Sequence, residues 1–131
     1  MHIQVTDVLY DEETKLTMVE FSTPFGIGVG EWRYGSPERY SHHDIEIETA
    51  FRLTWGKDIQ PAKDEQFVID YDLDHLVTLQ GKLESVESDG VAYVRIGSSL
   101  VTIKTDIGEA LPLDTFVRIH ADKIILFPYD T

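Results

Sequence analysis

Four short runs in this sequence hold residues of the types that do chemistry. The first is His42-His43-Asp44-Ile45-Glu46-Ile47-Glu48. On a strand, His42, Asp44, Glu46 and Glu48 share one face, about 6.6–7 Å apart from one residue to the next. Two such long carboxylates can reach one hard cation of the Ca²⁺ or Mg²⁺ type, which makes His42, Asp44 and Glu46 the candidate metal ligands. The competing reading is a solvated strand face whose acids blunt edge pairing. The second run, Asp70-Tyr71-Asp72-Leu73-Asp74, opens like a calcium loop. Its sixth position is His75 where the sharp turn needs Gly, and its twelfth is Gly81 where a bidentate Glu belongs, so it reads as an acidic turn. The third, Gly26-Ile27-Gly28-Val29-Gly30, lacks the helix and the Gly-Lys-Ser/Thr of nucleotide-binding loops; Glu31-Trp32 follows instead. The fourth, Gly97-Ser98-Ser99, is a turn and not a G-x-S-x-G elbow. No residue is assigned as catalytic, no cofactor is expected, and the chain reads as a non-enzyme.

A different kind of chemistry belongs to Glu31-Trp32-Arg33-Tyr34-Gly35-Ser36-Pro37-Glu38-Arg39-Tyr40. Ten residues gather one of the two tryptophans, two of the six tyrosines and two arginines. Trp, Tyr and Arg dominate binding hot spots because they bury much area at low rotamer cost. A Gly/Pro loop would display them, so Trp32, Arg33, Tyr34, Arg39 and Tyr40 are the candidate partner-binding residues. Against that stands the reading that Trp32 closes a barrel end while the arginines pair with nearby acids.

The elements that must position these residues are strands. From His43 to Trp55, Ile45, Ile47, Thr49, Phe51, Leu53 and Trp55 fall on one side, and Asp44, Glu46, Glu48 and Arg52 on the other, which predicts one long half-buried strand. Ile3–Tyr10 and Leu16–Ser22 flank a polar turn, and Phe25–Trp32 carries glycine at every second position, leaving one face bare for close packing. Gly56–Glu65 reads as a loop and Phe67–Ile69 as a short strand. The second part predicts five strands: His75–Val86, Val91–Ile96, Leu100–Thr105, Thr115–Ala121 and Lys123–Phe127. The first two are joined at Asp89-Gly90, and the last two are expected to form a hairpin around Asp122. Residues 106–112 have room for one helical turn. The fold class is all-β: a small antiparallel barrel or sandwich of two packed β-subdomains, residues 1–72 and 73–131, or one continuous domain.

In the second part, Leu79-Gln80-Gly81-Lys82-Leu83 with Asp89-Gly90, Val94-Arg95-Ile96-Gly97, Leu100-Val101-Thr102-Ile103 and Phe116-Val117-Arg118-Ile119 running into Ile124-Ile125-Leu126 form a recognisable pattern. It resembles the TOBE and MOP small barrels of transport ATPases and molybdate-binding proteins over residues 75–128. The resemblance implies an OB-like five-stranded barrel, and in that family oxyanions are held between subunits, with Thr102 and Thr105 here matching the threonine-rich strand. The family's Ser-Ala-Arg motif is absent, with Leu76-Val77-Thr78 in its place. His120-Ala121-Asp122 stands where its lysine is expected. The fold is carried over and the ligand is not.

Charge narrows the partners. The chain carries 24 acidic and 11 basic residues, a net charge of −13, and 13 of the acids fall in residues 1–65, so the acid is spread and not a tail. Such a field repels phosphate backbones and anionic membranes and speeds encounter with a basic partner. Nucleic acid and membrane are therefore not expected partners. There are no cysteines, which removes disulfides, thiolate nucleophiles and Cys-based zinc sites. Met1–Tyr10 carries Asp7 and no basic n-region, and no apolar run approaches the roughly 20 residues that span a bilayer, so the expected location is the cytoplasm. The functional expectation is a non-catalytic binding module for a protein partner, in one version an immunity or inhibitor protein for a basic effector. The alternative is a small-ligand or ion binder, with a divalent cation on the acidic strand face or an oxyanion in the TOBE/MOP-like part. The flat Gly26–Gly30 strand also offers an edge for homodimer pairing.

Overall fold

A computed structural model describes residues 1–129. Among them are eleven strands and no helix: β1 (His2–Asp11), β2 (Leu16–Thr23), β3 (Gly26–Trp32), β4 (His42–Thr49), β5 (Ile59–Pro61), β6 (Val68–Tyr71), β7 (Val77–Val86), β8 (Val91–Ile96), β9 (Ser99–Lys104), β10 (Phe116–Ala121) and β11 (Ile124–Pro128). Among the described residues no helix is long and apolar enough to cross a membrane.

Eight strands close a barrel in the order β1-β2-β3-β6-β7-β8-β9-β4, with β4 returning to β1. Closure removes most free edges, the liability of any all-β chain. Most pairs are antiparallel; β3–β6, β3–β11 and β4–β9 are parallel contacts. Strand β11 lies between β3 and β4, and β10 extends the sheet beside β7 with β5 at its far edge. The pairings of β11 with β3 and β4, and of β9 with β4, join residues on both sides of position 72.

The expected last hairpin does not form. Strand β10 has both edges taken, by β7 and β5, and β11 pairs instead with β3 and β4. The reason lies in Ile124-Ile125-Leu126, three consecutive apolar residues at 0%, 7% and 0% exposure. Such a run needs cover on both faces, and an edge hairpin would leave one face in water. Gly30 of β3 makes room for it, and Gly28 makes room for Phe21 of β2. A Cβ at Gly30 would lie 2.9 Å from Ile124 Cγ1, and one at Gly28 would lie 2.5 Å from Phe21 Cζ.

The long strand expected through Trp55 stops at Thr49. The buried Thr49 hydroxyl accepts the Lys104 N–H (2.9 Å), and the chain bends past it, leaving Phe51 exposed. Leu53 returns as an isolated bridge to Thr105, and Trp55 Nε1–H donates to Thr105 Oγ1 (3.1 Å). Hydrogen bonding to a barrel threonine outweighs the period-two pattern here. Within the expected loop, Ile59 is buried and forms the short β5; residues 106–112 form no helical turn. The Asp89-Gly90 turn is present, with Gly90 at φ 91°.

Candidate functional site

The Arg/aromatic loop is tied down at both ends. At its start, Arg33 N–H donates to the Leu126 carbonyl of β11 (3.0 Å). At its end, Tyr40 N–H donates to the Val5 carbonyl (2.7 Å), and Val5 N–H donates to the Ser41 carbonyl (2.9 Å). Arg39 Nε–H adds a bond to the Thr6 carbonyl (3.1 Å). The excursion from Arg33 to Tyr40 is thus anchored to β11 on one side and β1 on the other, and its tip faces solvent.

The five candidates separate within this frame. Trp32 is a core residue at 6% exposure, with its ring edge-on to His43 at 4.9 Å. Arg39 lies over the Tyr40 ring at 4.9 Å. Arg33 donates to the buried Glu31 carboxylate and places its guanidinium 6.0 Å from the Phe127 ring. Tyr34 and Tyr40 project outward at 80% and 59% exposure. Both occupy left-handed backbone, φ 68° and 69°. For a bulky side chain that region is a true outlier, costing about 1–2 kcal/mol where glycine would sit without strain.

Folding adds residues that sequence distance had hidden. Phe127 of β11 lies 6.3 Å from the Tyr34 ring, and its strand partner is Glu46. Glu48, the next outward residue of β4, pairs with Ile125. Exposed Tyr129 follows, its N–H donating to the Asp44 carbonyl (3.1 Å). Beside Glu46 and Tyr129 runs a groove of about 540 Å³ along β4, β9 and β8, with Tyr93, Arg95, Leu100 and Thr102 on its far side. The result is an aromatic pair, Tyr34 and Phe127, on a strand whose β4 neighbour carries the acids Asp44, Glu46 and Glu48. Alternation in β4 made the acids legible, but nothing local tied Phe127 to a loop some ninety residues earlier.

His42, Asp44 and Glu46 lie along one strand as expected, but they do not converge. Asp44 Oδ1 bonds His2 Nδ1 (3.1 Å), and the His2 ring stacks on His42 at 5.4 Å. Among the described residues, no three His, Asp or Glu side chains gather in a way that would hold a metal ion. In the acidic run, Asp72 Oδ1 accepts the N–H groups of Asp74 (2.9 Å) and Leu76 (3.0 Å), so it closes a turn.

Two carboxylates have displaced acidities. Burial alone would raise Glu31, but hydrogen bonds and charge from Lys123 (2.6 Å) and Arg33 outweigh it and hold the group below its ordinary value. Glu84 is held low by its hydrogen bond from Arg95. Both are fixed as anions beside cations, the opposite of a carboxyl poised to exchange a proton near neutrality. Tyr71 donates its hydroxyl to Glu20, which with burial raises its pKa to about 12. Compared with family models, curated proteins and solved structures, the chain matches none of them.

Proposed function

We propose that this protein is a non-catalytic binding module whose acidic, aromatic face engages a basic protein partner. The observation that carries this reading is the pair of exposed tyrosines, Tyr34 and Tyr40, both held in left-handed backbone. Glycine or asparagine at either position would fold at lower cost, so the barrel holds strained aromatic side chains in solvent. Rigid exposed tyrosines bury large area on contact at small entropic loss. Asp44, Glu46 and Glu48 on β4, the last two opposite Phe127 and Ile125 of β11, in a chain of net charge −13, supply the field that steers a cationic surface into place. An inhibitor or immunity protein that neutralises a basic effector is the role this chemistry suits.

The test is capture from an extract of the protein's native cells at low and at high salt, with wild type and with Tyr34→Ala/Tyr40→Ala. The reading expects a basic protein retained at low salt, released at high salt and lost with the double variant. Retention that ignores both salt and the substitutions would overturn it.

A further inference from the structure

On a different part of the sheet, β10, β7 and β5 line up three polar side chains. Gln60, Arg118 and Gln80 occupy adjacent register positions, with His120 and Thr78 in the next row. Gln80 is 2% exposed, in a strand whose neighbouring buried positions are otherwise apolar or glycine. Its amide nitrogen donates to Asp64 Oδ1 (2.7 Å) and to the Gln66 carbonyl (2.9 Å). With both donors committed, its oxygen is left to accept one bond, from Arg118 Nη1 (3.0 Å). The buried amide therefore fixes the guanidinium while leaving most of its five donors unused. His120 is oriented in the same way, its Nδ1 lying 3.2 Å from Thr78 Oγ1.

Gln60, Lys63, Gln80, Arg118 and His120 line a cavity of about 360 Å³. That volume lies within the range of small-ligand sites. Among the described residues neither Lys63 nor Arg118 is in an ion pair, although acids outnumber bases 24 to 11 in the chain. The one carboxylate in the lining, Asp64, already accepts from Gln80. If Gln80 served only to tie down the loop around residue 64, an apolar residue packed under that loop would do so without burying an amide.

We propose that the Gln60–Lys63–Gln80–Arg118–His120 cavity is a binding site for a small organic anion presenting a carboxylate or phosphate group. Arg118, held by Gln80, receives two anion oxygens through its planar fork; Lys63 adds charge and His120 donates at the side, while the Gln60 amide nitrogen stays bonded to the Gly56 (3.2 Å) and Lys57 (3.5 Å) carbonyls. The site is separate from the tyrosine face, and its occupancy does not depend on the partner.

The test uses the full chain with inorganic phosphate, glycerol 3-phosphate and succinate as probes. Titration calorimetry and thermal unfolding are read against sodium chloride at matched ionic strength. At least one probe should bind, raising Tm by about 5 °C at ten times its Kd. Arg118→Met keeps the Gln80 bonds to Asp64 and Gln66, so it should fold as wild type and lose at least tenfold in affinity. Arg118→Lys, which keeps the charge but not the fork, should fall between them. The preferred probe separates a phosphate ligand from a carboxylate one. The proposal is overturned if no probe binds wild type below 10 mM, or if Arg118→Met binds within twofold of it.

Discussion

Glycine in place of Tyr34 and Tyr40 should make the barrel more stable than alanine does, while both pairs of substitutions abolish partner binding. The two backbones lie at φ 68° and 69°, where a side chain with a Cβ costs about 1–2 kcal/mol. Glycine removes that cost but returns about 0.5–1 kcal/mol through the greater freedom of the unfolded chain. The net advantage of glycine over alanine is about 0.5–1 kcal/mol per site, or about 1–2 kcal/mol for the pair if the sites act independently. Both variants remove the same ring packing, Tyr34 against Phe127 at 6.3 Å and Tyr40 under Arg39 at 4.9 Å, so its energy cancels in the comparison. Urea unfolding of Tyr34→Gly/Tyr40→Gly and Tyr34→Ala/Tyr40→Ala measures the difference directly, and thermal unfolding should separate the two by about 4–7 °C. Equal stability, or a more stable alanine variant, would refute the claim that strain is held at these tyrosines.

Other expectations test the frame around the site. The Glu31 pKa is held below its unfolded value of 4.5, so the stability it contributes is present above about pH 4.5 and is lost as pH falls through the folded value. Glu31→Gln should cost about 1–2 kcal/mol at pH 7, discounted from a fully buried pair because Arg33 and Lys123 reach solvent. It should also weaken the acid dependence seen in urea melts between pH 7 and pH 3.5. Gly28→Ala drives a Cβ against Phe21 and Ile69 and should cost about 2 kcal/mol, lowering Tm by about 7 °C. Leu126→Ala opens a void at a fully buried position of the strand between β3 and β4 and should cost about 3 kcal/mol in denaturant unfolding.

The all-β class and most strands were legible because period-two alternation and turn residues are local signals. Val91–Ile96 falls where its pattern placed it, and the glycines of β3 face another backbone, at Gly26, or bulky side chains, at Gly28 and Gly30, as their spacing required. Illegible were features decided by distant partners. Thr49 ends its strand because Lys104 bonds its hydroxyl, and Ile124–Leu126 leaves the expected hairpin because β3 and β4 can cover it on both faces. The Arg/aromatic loop was visible through its composition, but its division was not. Trp32 turns into the core while Tyr34 meets Phe127, a contact with no local trace. The Gln80–Arg118 pair was equally silent, since its significance rests on a loop that buries Gln80 and on cross-strand register.

The most direct measurement of the central claim is capture by Tyr34→Gly/Tyr40→Gly, a chain whose cooperative unfolding shows it folded. The account predicts that a basic protein held by wild type at low salt is absent from the variant's eluate. Recovery of that protein in equal yield would contradict it.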